Sequence, residues 1–302
     1  VITLAAVHAI LRAERDRAQL RLAFWTVTIF ISVWALVQFV TGWRIPSPWN
    51  VSIANGRRAT GPYGFPNAVA LYIAPIVAYA GARCWMYREK LAGLAAGLGL
   101  FAVLAARSDG GALAILGAWT LVLATIKLGR KLLAAGGLLV IVGALLRPDL
   151  AHEVWLNLTF QGWSGKVRLI MWGETWELLE AHWFFGAGIG GYPVLFDAFR
   201  WAKFIEIFQY PHQFIFTAWS EMGLPGLALF LGLLWTWGAR AWRSASRFAE
   251  RSIGFAPLVA VVVHGLVDVP YWKNDLAVTF FVLWWIVAWV DQPATSTLGS
   301  RR

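Results

Sequence analysis

The chain reads as an all-α polytopic membrane protein with about eight transmembrane helices and both ends on the cytoplasmic side. Three observations predict this. Hydrophobic residues make up 59% of the chain and charged residues only 14%, outside the range of an ordinary water-soluble domain. Apolar stretches of roughly 17–25 residues recur, the length an α-helix needs to cross a bilayer. Basic residues gather at alternate ends of those stretches, as the positive-inside rule requires.

The spans fall near residues 22–41, 67–82, 91–106, 111–127, 132–147, 214–238, 253–269 and 276–290. With the N-terminus inside, Arg12, Arg15, Arg17 and Arg21 are cytoplasmic. So are Arg83, Arg88 and Lys90, then Lys127, Arg130 and Lys131, then Arg240, Arg243, Arg247 and Arg251, and finally Arg301 and Arg302. Glu14, Asp16, Glu89, Glu250 and Asp291 share that side, and every inner loop stays net basic. The formal charge of +10 follows from this topology and from anionic lipid, so no nucleic-acid partner is implied. Cys84 is the single cysteine, which excludes disulfides within the chain and a thiolate metal site. The chain opens on Val1 without a signal-peptide pattern, as expected of a C-terminal portion of a longer protein.

Residues 1–302 form one integral membrane domain in this reading, and two outer segments are too long for turns. The first, Gly42 to Pro66, is rich in Pro, Gly and Trp. The second, 148–213, is rich in Trp, Phe and Leu and forms a long extracytoplasmic loop over the candidate site. Within it Leu169, Trp172, Trp176, Leu179 and Trp183 recur at helical spacing, predicting an amphipathic helix with Arg168 near its start. Its stripe either lies in the headgroup region or packs on other loop structure. In the third span Gly93 and Gly97 permit close helix approach. Pro225 predicts a kink in the sixth, leaving Phe214–Gly223 as a half-helix.

Cationic and protonatable groups near a span are costly and mark function by default. Arg57 and Arg58, between Gly56 and Gly61, are either loop charge or a guanidinium clamp for phosphate, whose oxygens match planar arginine donors. Arg168 invites the same two readings. Tyr210, Pro211, His212 and Gln213 precede the sixth span, and an imidazole can take a proton near neutral pH. Glu221 lies nine residues beyond His212, at a depth where a carboxylate needs a partner. His264 and Asp268, at i and i+4, can pair on one helix face, and a structural role is favoured for them. Gly186, Gly188 and Gly191 satisfy G-x-G-x-x-G without the preceding strand of a dinucleotide site, so they predict a tight turn whose N–H groups could face an anion. Asn157-Leu158-Thr159 matches a glycosylation sequon, meaningful only in a eukaryotic host. No Walker sequence and no zinc-ligand spacing occurs, so neither ATP nor metal is expected as a cofactor.

In their order, spacing and predicted side, these motifs resemble the O-antigen ligase and O-antigen polymerase superfamily of bacterial envelope glycosyltransferases. The likeness runs over roughly residues 20–290. It rests on Arg57-Arg58-Ala59-Thr60-Gly61 leading to Phe65-Pro66-Asn67, and on Arg168 before Gly186-Ala187-Gly188. It continues with His212-Gln213 followed by Glu221-Met222-Gly223-Leu224-Pro225-Gly226, and with His264 and Asp268. Gln213 stands where the family usually has Asn, and Arg107-Ser108-Asp109-Gly110-Gly111 where relatives often show Ser-Arg-Gly. Members usually carry more spans.

The resemblance implies a metal-independent glycan transfer, without cofactor, on the periplasmic face of the bacterial inner membrane. The donor would be a glycan on undecaprenyl pyrophosphate, and the acceptor a lipid- or glycan-borne sugar hydroxyl. His212 and Arg168 are then the expected catalytic residues, with Arg57, Arg58, Tyr210, Gln213 and Glu221 expected to bind substrate. Polymerisation of repeat units uses the same residue types and stays open. A transporter or flippase of the lipid-linked glycan is the rival from another class, though its charges would be spread through the span centres. An envelope scaffold is a further alternative.

Overall fold

A computed structural model describes residues 14–269 and 274–288. His8, Arg12, Asp291, Arg301, Arg302 and the end of the eighth predicted span lie outside the described residues. Among those described, every regular element is helical. The helices are α1 (Glu14–Thr41), α2 (Pro66–Tyr87), α3 (Lys90–Ala105), α4 (Asp109–Ala124), α5 (Lys127–Leu146), α6 (Pro148–Leu158), α7 (Trp163–Ala181), α8 (Tyr192–Phe196), α9 (Phe214–Arg243), α10 (Phe248–Gly265) and α11 (Asn274–Ala288).

Each of the eight predicted spans corresponds to one of these helices, with ends displaced by a few residues. Five are long and apolar enough to cross a membrane: α1, α2, α5, α9 and α10. The helices α3 and α4, at 16 residues each, and Leu276–Val287 within α11 are apolar but shorter.

The chain divides into two compact units. Of the described residues, the first holds 14–126, 235–263 and 274–288, the second 127–234 and 264–269. In the first, α1 to α4 pack closely because their facing residues are small. Ala35, Ala70, Ala74, Ala102 and Ala105 share a buried cluster with Ile31, Val69, Ile73, Val77 and Ile115. Small residues let helix backbones approach, the main source of association where lipid removes the hydrophobic drive. One of the two expected glycines, Gly93, makes a close approach and the other does not. Gly93 faces Cys84 Sγ, but Gly97 has nothing within 4 Å. Gly99 instead meets Val77, and Gly81 meets the Trp119 indole. Spacing along one helix cannot show which glycine a neighbour selects.

In the second unit, the 148–213 segment is mostly helical. The predicted α7 is present, and most of its apolar stripe lies off its buried face. Met171, Glu174, Thr175, Leu178 and Leu179 are buried, whereas Leu169, Trp176 and Trp183 are 48–55% exposed. Two polar residues turn inward because both find partners there. Glu174 accepts the N–H groups of Trp201 at 2.9 Å and Ala202 at 2.7 Å, and Thr175 Oγ1 lies 2.8 Å from the Tyr192 hydroxyl. A buried polar group so satisfied escapes the desolvation cost that hydropathy assigns to it. Burial also raises the Tyr192 phenol above its usual range, so it stays neutral.

The kink in α9 falls at Gly223, whose φ of 67° and ψ of −176° are not helical. Pro225 lies two residues on, where its fixed φ suits the first turn of the following helical segment. Phe214 to Met222 thus form the expected half-helix.

Candidate active site

In the second unit the chain turns sharply at His212, which adopts a left-handed φ of 49° immediately before α9. Gln213 stabilises the entry, its Oε1 accepting the Phe216 N–H at 2.8 Å as an N-cap. A glutamine does here what a shorter amide does at other helix starts. The His212 ring packs beside Phe208 and Tyr210, at centroid distances of 5.1 and 4.8 Å. Burial, and behind it the negative charge of Asp268, raises the Tyr210 phenol, which therefore remains a neutral hydroxyl.

His212 Nδ1 lies 3.0 Å from Asp268 Oδ1. The carboxylate is nearly buried, at 3% side-chain exposure against 23% for the imidazole. Oδ1 also accepts the Val269 N–H at 2.9 Å, which fixes its orientation. Asp268 sits just beyond the end of α10, its own N–H bonded to the His264 carbonyl at 3.0 Å. Arg168, in the second turn of α7, reaches the same corner: its Nε donates to the Val267 carbonyl at 3.0 Å and its Nη1 to Ser164 Oγ at 2.7 Å. The structure therefore brings together an imidazole, a buried carboxylate and a guanidinium from three separate stretches of sequence.

Asp268 could pair with His264, four residues away. Its carboxylate binds His212, 56 residues away. His264 is buried within α10, and among the described residues its Nδ1 has no hydrogen-bond partner. Asp268 is visible in the sequence, but its contact with His212 is not. The available signal was an acid near the same end of a span as a candidate base.

Glu221 is also buried, at 4% exposure, and its carboxylate accepts the Gly190 N–H. The glycine-rich turn after α7 is docked on the α9 kink by further bonds. Ala187 N–H donates to the Ser220 carbonyl at 2.6 Å, and Leu224 N–H to the Phe184 carbonyl at 3.0 Å. Gly186 and Gly223 are required at this contact. Both have positive φ, and a Cβ on either would collide with backbone of the other segment. The anion facing this turn is thus a side chain of the protein itself.

Arg57 and Arg58 belong to the first unit. Arg57 caps α1, its Nη1 donating to the Phe39 and Val40 carbonyls at 3.1 and 3.0 Å and its Nε to Val51 at 2.7 Å. A cation at a helix C-terminus also complements the helix dipole. Arg58 donates to the Ala106 carbonyl at 2.9 Å, the Arg107 carbonyl at 3.2 Å and Asn67 Oδ1 at 2.9 Å. The Gly42–Pro66 segment is further held by buried Gln38, which accepts the Gly61 N–H at 2.7 Å and donates to its carbonyl at 3.0 Å.

Several apolar helices with a polar, partly open corner of His, Asp and Arg describe an integral membrane protein carrying acid–base and cationic groups. Residues 94–231 match a family model described as O-antigen ligase. The match takes in Arg168, Tyr210, His212, Gln213 and Glu221, and ends before Asp268. No curated protein matches the chain.

Proposed function

We propose that the protein transfers a glycan from undecaprenyl pyrophosphate to a sugar hydroxyl of a lipid or glycan acceptor, at the periplasmic face of the inner membrane and without a metal. The observation that carries this reading is the His212–Asp268 pair at 3.0 Å with Arg168 anchored beside it.

Asp268 accepts the Nδ1 proton of His212, which leaves the Nε2 lone pair as base. This is the orienting and charge-compensating role a carboxylate plays behind a catalytic histidine. The acceptor hydroxyl gives its proton to Nε2 while its oxygen bonds to the anomeric carbon of the donor. The bond between that carbon and the pyrophosphate oxygen breaks, and its electron pair leaves with the pyrophosphate. Negative charge grows on the leaving group, where a guanidinium already held in place is most effective. Arg168 supplies it, fixed through Val267 and Ser164. Tyr210 offers a neutral hydroxyl to the substrate, Gln213 holds the histidine turn, and Glu221 holds the glycine turn. Arg57 and Arg58, in the first unit, are proposed as further phosphate-binding cations.

The test is a reconstituted reaction with purified protein, undecaprenyl-pyrophosphate glycan, candidate acceptors and EDTA. Acceptor-dependent release of undecaprenyl pyrophosphate is expected, lost by about 10²-fold or more in His212→Ala. Normal turnover in that variant overturns the role of His212. One addition per acceptor marks a ligase, and a ladder of lengths a polymerase.

A further inference from the structure

One face of α7 carries a row that the reaction at His212 does not use in full. Arg168, Trp172, Trp176 and Glu180 follow at intervals of four, so they stand one above the next along the helix. The row begins at the proposed reaction centre. Arg168 is bonded beside Asp268, and Trp172 donates from Nε1 to the carbonyl of Pro211, the residue before His212, at 2.8 Å. It continues outward to Trp176, about 12 Å along the axis from Arg168.

Trp176 is built as a rigid plate rather than as core. It is 48% exposed although Phe216 and Trp219 flank it at centroid distances of 6.5 and 6.1 Å. Both contacts are edge-type, and among the described residues no ring stacks parallel upon it. Its Nε1–H is held by Glu180 Oε1 at 2.6 Å, which fixes the ring and places a carboxylate acceptor at its margin. An immobilised aromatic face with an acceptor at its edge suits a pyranose, whose C–H face is apolar and whose rim carries hydroxyl donors.

We propose that Trp176 and Glu180 form a glycan-binding subsite, one short oligosaccharide length from the reaction centre, that holds sugar residues distal to the reacting one. The proposal rests on the glycan-transfer reading of the His212 site. A donor's and an acceptor's outer sugars share this chemistry, and the assay separates them.

Transfer is measured with donors bearing one sugar or several, and with short or long acceptors. Trp176→Ala should raise KM about tenfold for the long partner with kcat little changed, and leave the short partners unaffected. Trp176→Phe, which keeps a ring, should restore most of the loss. A penalty that follows donor length assigns the donor glycan to the row, and one that follows acceptor length assigns the acceptor glycan. Equal losses on short and long partners, as an interfacial anchor or a damaged fold would give, overturn the subsite, as does no change at all. If the wild-type protein transfers nothing, the enzyme reading fails, and titration of a soluble oligosaccharide decides the subsite separately. Binding lost in Trp176→Ala upholds the subsite, and no binding to wild type overturns it.

Discussion

In the proposed reaction the acceptor's proton passes to one atom, His212 Nε2, and the group on the far side of the ring holds the imidazole for it. Asp268→Asn keeps the volume and an oxygen for the Nδ1 proton but removes the charge that stabilises the imidazolium. It should lower kcat by about 10²–10⁴-fold with little change in KM or thermal stability. Steady-state rates of the reconstituted protein check this, and an unchanged kcat would show that Asp268 only anchors the turn. The sequence disclosed every member of this corner as a residue and none of its bonds. His212 and Arg168 were legible because polar groups beside apolar helices are costly. The partner of His212 was not, because a neighbour four residues from His264 is visible on paper and one 56 residues from His212 is not. Arg57 and Arg58 show the converse. Their charge was plain, but the Phe39, Val40 and Ala106 carbonyls that occupy them belong to helix ends no residue pattern marks.

At the scale of elements, the glycine turn and the broken helix α9 are one device. Gly223 holds a backbone conformation open essentially to glycine alone and lies against Phe184, so Gly223→Ala should cost about 1–3 kcal/mol or more. A lower unfolding midpoint in detergent, with transfer lost alongside, is the expected result. Gly97→Ala is the contrast, since Gly97 is helical with open space around it. That variant should be as stable as wild type or more so, by up to about 1 kcal/mol. The kink itself was readable from Pro225, although it falls two residues earlier. The orientation of α7 was not, because apolar periodicity leaves a headgroup-facing stripe and a packed one equally open. Glu174 and Thr175 decide it with hydrogen bonds that only the folded chain supplies.

For the whole molecule, helix positions followed closely from hydropathy, since backbone groups in lipid must be satisfied within each segment. Sidedness rests on the basic residues and is directly testable. In a Cys84→Ser background, a cysteine at Arg130 should resist a membrane-impermeant maleimide in intact cells until they are permeabilised. A cysteine at Ser164 should react at once. The reverse pattern would invert the topology and place the His212 site in the cytoplasm.

Helix α5 is the plainest instance of a segment that the other described residues leave bare. Only 6% of its most apolar window is buried, and Leu138 to Ile141, Leu145 and Leu146 are 59–77% exposed. Its stability is therefore a property of the solvent rather than of the sequence around it. Leu139→Arg disturbs no packed neighbour, yet should cost about 2.5–3.5 kcal/mol at the insertion step, read as a drop in the membrane-integrated fraction rather than in the activity of what does insert. Lipids and detergents that solvate this helix become, in effect, part of the protein's tertiary structure.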